Sequence, residues 1–160
     1  MSAWEKFKYT EEKKEKEDLF KGRGAQLNPE NRFSKFQFST EHIEGLDEEA
    51  LTDEKTEIIY THPKTIVNKI DSPDIGLAYS MNPYQGCEHG CIYCYARNTH
   101  EYWGYSAGLD FERKIIVKEG AAEILKKEFS KKSWDPQPIM LSGNTDCYQP
   151  IEKKLEITRA

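Results

Sequence analysis

The sequence is poor in apolar residues and has no long apolar run. Apolar residues, counting Tyr and Cys, make up 37% of its 160 residues, and mean hydropathy is −0.83. Globular chains usually carry about 45–50% on a similar count. The deficit lies mostly in the first third, so the remainder can still bury a core. No stretch approaches the roughly 18 consecutive apolar residues of a membrane span. The start, MSAWEKFKYTEEKKEKEDLF, has no apolar signal-peptide core. A cytoplasmic protein without a membrane partner is therefore expected. Excess positive charge is also missing: 23 Lys and Arg against 28 Asp and Glu give −5. That balance argues against binding nucleic acid by charge alone, although a local basic patch would still allow it. Gly22 and Gly24 follow no apolar strand and have no third glycine, which excludes a dinucleotide fingerprint. There is no internal repeat.

What is present falls into two parts. Residues 1–57 read as a polar N-terminal arm and linker. Within them, residues 5–21 are a dense Lys/Glu mixture, KGRGAQLNPENRF (21–33) is a loop or arm rich in turn residues, and Glu41 to Glu57 is an acidic linker. From Ile58 to Ala160 the pattern is that of a core. IIYTH and KTIVNKI read as strands, GLAYSMNPYQG as a short apolar strand ending in a Pro/Gly turn, YARNTHEYW as a helix, and KIIV as a strand covered on both faces. Ala121, Leu125 and Phe129 line one helix face, IMLSG is a further buried strand, and IEKKLEITRA starts a helix after Pro150. The alternation predicts an α/β fold with a parallel sheet. The last helix has no stop signal, so the chain is expected to be an N-terminal portion of a larger core.

Cysteine is scarce, four in all, yet three fall within eight residues: Cys87, Cys91 and Cys94 in NPYQGCEHGCIYCYARN. In a reducing compartment such crowding favours a metal over disulfides. Thiolates select zinc, copper(I) or iron–sulfur clusters. Three thiolates from one loop can wrap a cubane cluster and leave one iron open. Gly86 and Gly90 let the backbone turn while the sulfurs point inward. A structural zinc site with His89, His100 or Cys147 as fourth ligand is the alternative, as a small interaction module. Zinc sites usually bring two separated ligand pairs, and no second pair is present. Free thiols are the remaining reading.

CEHGCIYC matches the Cys-x3-Cys-x-aromatic-Cys motif of the radical S-adenosylmethionine (radical SAM) proteins, with Tyr93 as the aromatic residue. NPYQGCEHGCIYCYAR, THEYWGYSAGLDFE, IIVKEGAAEIL and GNTDCYQPIEKKLEITRA resemble the branch related to spore photoproduct lyase. KGRGAQLNPENRF resembles the N-terminal arm of a bacterial subgroup of that branch. The resemblance runs from about Gly22 to the last residue. It implies a partial (β/α)6 barrel. It implies a [4Fe–4S] cluster held by Cys87, Cys91 and Cys94, and S-adenosylmethionine cleaved reductively to a 5′-deoxyadenosyl radical that takes hydrogen from an unspecified substrate. It also implies a reducing partner of flavodoxin or ferredoxin type, and Tyr93 beside the adenine. The Gly-Gly-Glu segment that often holds the methionine ammonium in that superfamily is missing. Ser142, Gly143, Asn144 and Asp146 in SGNTD are the expected stand-in, with a helix cap as their plainer role. Cys147 replaces a common family proline and reads as a bystander thiol. His100 and Glu101 read as helix surface, and Asp110 and Glu112 as flanking a strand start.

Overall fold

The computed structural model describes residues 20–35 and 55–160. The Lys/Glu-rich start and most of the acidic linker lie outside the described residues. Among the described residues, six strands form two sheets of three. β1 (Glu57–Thr61), β5 (Lys114–Lys118) and β4 (Tyr84–Gln85) form one, with β5 in the middle. β2 (Val67–Lys69), β3 (Tyr79–Met81) and β6 (Ile139–Leu141) form the other. β1 runs parallel to β5, Glu57 opposite Lys114, while β4 runs antiparallel to it, Tyr84 opposite Val117. β3 pairs parallel with β6 and antiparallel with β2.

The class is mixed α/β, but the described residues form no (β/α)6 barrel, which corrects the expected architecture. GLAYSMNPYQG holds the expected short strand, β3, but the stretch expected as a Pro/Gly turn also carries a second short strand, β4, which belongs to the other sheet. Asn82 and Pro83 separate the two strands. Pro83 has no N–H to donate to a ladder, so the strand breaks there. With the strand divided, the parallel pairs β1–β5 and β3–β6 do not join into one sheet.

Ile115, Ile116 and Val117 of β5 are almost wholly buried, with Phe111, Tyr84 and Ile66 beside them among the buried side chains. Each such burial stabilises by about 1.5–3 kcal/mol. The expected helix after the cysteine loop is a 3₁₀ helix, Tyr95–Trp103, closed by Gly104 in the left-handed conformation. A short helix, α1 (Leu109–Arg113), directly precedes β5 and so flanks its start. Thus Asp110 and Glu112 sit on a helical turn. α2 (Ala121–Phe129) follows β5, as its periodicity predicts. α3 (Glu152–Leu155) is much shorter than IEKKLEITRA suggests. Glu156 takes φ 50° and ends it, and the Glu152 carboxylate accepts from the backbone N–H groups of Thr158 and Arg159. That folds the last residues back, and Tyr84 Oη donates to the same carboxylate from β4. Among the described residues no helix is long and apolar enough to cross a membrane.

Candidate cofactor centre at the cysteine loop

The cysteine loop leaves the buried end of β4. Gly86 takes φ +78°, and a Cβ there would meet the Lys114 carbonyl oxygen at 2.8 Å and that of Phe111 at 3.0 Å. Only glycine fits this close approach. Cys87 N–H donates to the Phe111 carbonyl at 2.9 Å, so the first thiol is anchored on α1. Cys94 N–H donates to the Cys91 carbonyl at 3.2 Å, closing a turn between the other two. Burial pushes the Cys87 thiol above its ordinary pKa, while backbone hydrogen bonds at His89 and Asp146 pull the other way.

A cavity of about 300 Å³ opens beside this loop, and its lining includes Cys87, Cys94, Phe111, Ser142, Gly143 and Asp146. Residues some fifty positions apart are thus brought together, joining two of the three expected cluster ligands with three of the four stand-in residues. The two segments are stitched at Gly86. Its carbonyl accepts from Thr145 Oγ1 at 2.5 Å and from Gln149 Nε2 at 3.2 Å. Gln149 Oε1 in turn accepts from Glu88 N–H at 3.3 Å. Thr145 and Gln149 were not singled out from the sequence, although both lie within the GNTDCYQP word that carries the resemblance.

Ser142 has the left-handed φ of 67°, and its buried Oγ has no hydrogen-bond partner among the described residues. A non-glycine residue in that region costs about 1–2 kcal/mol. Such outliers concentrate at ligand sites. Asp146 is partly committed: Oδ2 lies 3.2 Å from His89 Nε2, and Oδ1 accepts from Tyr148 N–H at 2.8 Å. The cap-like role and the cavity role therefore coexist in this residue.

Other expected residues lie elsewhere. Cys91 is half-buried but does not line the cavity. Tyr93 is 86% exposed and also lies outside the lining. Asn144 faces a different cavity, its N–H donating to Asn82 Oδ1 at 3.1 Å. Cys147 is buried outside the lining, and His100 is buried against Tyr105 and Phe111. Glu101 is buried too, paired with Arg32 at 2.9 Å, which corrects its reading as helix surface. Among the described residues no three His, Cys, Asp or Glu side chains converge on one metal-ion position.

No family model matches the chain. No solved structure matches it either. It is similar to an uncharacterized protein from Mycobacterium tuberculosis, 39% identical over 90 residues, which cover 56% of this chain and 26% of that protein. A protein of the same description from Mycobacterium bovis shows the same figures. An uncharacterized protein from Methanocaldococcus jannaschii is 33% identical over 105 residues, 66% of this chain and 37% of that protein. The chain thus spans about a quarter to just over a third of the length of these curated relatives.

Proposed function

We propose that the chain is part of a radical SAM protein whose cysteine loop holds a [4Fe–4S] cluster beside S-adenosylmethionine. The observation that carries this reading is the cavity where Cys87 and Cys94 meet Ser142, Gly143 and Asp146. The donor set fits the group in chemistry: soft thiols on one wall, oxygen acceptors on the other. Cys91 would complete the ligand set by turning its side chain inward from the turn it already shares with Cys94. When bound, such a cluster supplies the electron that cleaves S-adenosylmethionine and so yields a 5′-deoxyadenosyl radical.

This chain's own residues have defined tasks in that scheme. Cys87, Cys91 and Cys94 ligate as thiolates. The backbone hydrogen bonds at His89 and Asp146 moderate the charge on the Cys87 sulfur. Phe111 and Ala96 supply apolar parts of the cavity wall. Ser142 Oγ, the Gly143 backbone and the Asp146 carboxylate accept from the methionine ammonium, with Asp146 giving up part of its pairing with His89. Asn144 and Tyr93 are left out of the assignment. The substrate and the electron donor are supplied from outside this segment.

The test is anaerobic reconstitution with iron and sulfide, followed by metal analysis, visible spectroscopy and chromatography for 5′-deoxyadenosine. A brown protein with a four-iron stoichiometry is expected in the wild type and in Cys147→Ala, and not in Cys87→Ala, Cys91→Ala or Cys94→Ala. A colourless protein that takes up zinc through the same cysteines would replace this reading with the zinc module.

A further inference from the structure

A second cavity, of about 320 Å³, lies across the Ser142–Asp146 segment from the first. Ser142, Gly143, Thr145 and Asp146 line one and Asn144 lines the other. Its walls come from five separate parts of the chain and are unusually rich in amides: Asn68, Asn82, Gln85 and Asn144. Lys118, at the end of β5, supplies an ammonium group, and Thr99, Tyr102 and Trp103 complete the lining. No Asp or Glu among the described residues lines it.

Two of these amides are deeply buried, Asn82 at 3% and Gln85 at 4% exposure, and both are only half used. Asn82 accepts through Oδ1 from Asn144 N–H, and its Nδ2 has no partner among the described residues. Gln85 donates through Nε2 to Thr99 Oγ1 at 2.5 Å, and its Oε1 has no such partner. Lys118 likewise has no carboxylate partner among the described residues. Burial pushes its pKa below the ordinary lysine value, the direction expected of an ammonium with no counter-charge. An oxyanion beside Nζ would supply the missing charge and accept from Asn82 Nδ2.

We infer that this cavity binds a small oxyanion-bearing ligand, a carboxylate or a phosphate, held by Lys118 and the Asn82 amide. The remaining amides take polar groups on the body of the ligand. The size is at the lower end of small-molecule sites, roughly 300–1,000 Å³. Charge-assisted bonds of this kind are about twice as strong as neutral ones. The inference does not depend on what the cysteine loop holds, because the two cavities have no lining residue in common.

Calorimetric titration of the full chain at low ionic strength with inorganic phosphate, succinate and glycerol tests it, with no cluster or S-adenosylmethionine added. Saturable binding of phosphate or of succinate is expected, with a Kd of about 10 mM or tighter, and none of glycerol. Which of the two anions binds separates the phosphate source from the carboxylate source. Lys118→Met should weaken that binding by at least about tenfold. Asn82→Asp keeps the acceptor for Asn144 N–H but replaces the amide donor by a negative oxygen, and should weaken it at least as much. Circular dichroism checks that both variants are folded, and Lys118→Arg, which keeps the charge, is expected to retain binding. Absence of saturable binding by either anion overturns the inference, as does equal affinity in the wild type and a folded Lys118→Met or Asn82→Asp.

Discussion

The Arg97 guanidinium is paired with the wholly buried Glu112 carboxylate, and through this pair the N-terminal arm is tied to the cysteine loop. The same carboxylate accepts from Gly24 N–H at 3.0 Å and Ala25 N–H at 2.9 Å. Arg97 also donates to the Cys91 carbonyl at 3.0 Å and to that of Gly108 at 3.2 Å. Arg23 donates to the Glu112 carbonyl at 2.8 Å and to Thr56 Oγ1 at 3.0 Å. One buried charge therefore organises three segments that are distant in sequence.

Removing the guanidinium should be costly. Arg97→Met strands the Glu112 charge with backbone donors alone, and breaking a buried pair typically costs about 3–5 kcal/mol. Arg97→Lys should recover only part of this, because a single ammonium cannot reach Glu112, Cys91 and Gly108 together. Denaturant unfolding of the three proteins measures the order wild type, Arg97→Lys, Arg97→Met. A loss of under about 1 kcal/mol in Arg97→Met, the scale of a surface pair, would mean that Glu112 is not a structural hub.

Two glycines of the arm should respond differently to alanine. At Gly24 a Cβ would lie 2.0 Å from the Gly90 carbonyl oxygen, so Gly24→Ala must push the arm off the cysteine loop. At Gly22, with φ +75°, a Cβ meets nothing within 4 Å. Gly22→Ala then suffers only the left-handed backbone cost of about 1–2 kcal/mol. Amide hydrogen exchange at Gly90 and Cys91 should rise in Gly24→Ala and stay near the wild-type rate in Gly22→Ala. Equal exchange in the two variants would show that the arm does not cover the loop.

Stability should fall in mild acid because of His100. Its ring is fully buried, packed against Tyr105 and Phe111. Burial pushes its pKa down to about 4, against the opposing pull of Asp110. Above the ordinary histidine value of about 6.5, both folded and unfolded chains hold this ring neutral and it contributes no pH dependence. Between that value and about 4 the unfolded chain binds the proton and the folded chain does not, so stability drops as pH falls, on the order of 3 kcal/mol over the window. Unfolding free energies at a series of pH values for wild type and His100→Leu check this. The difference between their slopes should be confined to that window, and parallel curves would refute the assignment.

Ser142 offers a separation of strain from function. Ser142→Gly relieves the positive φ and loses the unpartnered hydroxyl, so stability should stay within about 1 kcal/mol of wild type. Ser142→Val puts a β-branched residue in the left-handed region and should be clearly less stable. On the reconstituted protein, Ser142→Gly should bind S-adenosylmethionine more weakly, by roughly tenfold for a lost acceptor worth about 1–1.5 kcal/mol. Unchanged affinity would remove Ser142 from the binding assignment.

Some of this was legible in the residues. The apolar run at Lys114–Val117 and the spacing of Ala121, Leu125 and Phe129 each describe local geometry, and β5 and α2 stand where they point. The three-cysteine loop was visible for the same reason, since Gly86 and Gly90 supply the positive φ values that such a turn needs. The SGNTD segment was placed correctly after a strand, β6. Asn144 departs from its neighbours because its backbone N–H is taken by Asn82, sixty-two positions away. No spacing rule shows such a contact.

The sequence by itself determined the local elements and the chemistry on offer: which stretches are apolar, where glycine permits a turn, and that three thiols share one loop. The tertiary structure decided the rest. It split GLAYSMNPYQG between two sheets at Pro83, so a continuous parallel sheet did not follow from a βα alternation that is real in sequence. It turned Glu112 from an apparent strand-edge acid into a buried hub. It ended the last helix at Glu156 without a glycine, because Glu152 captures the returning backbone. The division has a physical reason. Side-chain pattern sets the preferences of a residue and its near neighbours, whereas strand partners and the fate of buried charges depend on contacts between segments far apart in the chain. Those contacts are resolved only when the whole set of polar groups is satisfied together.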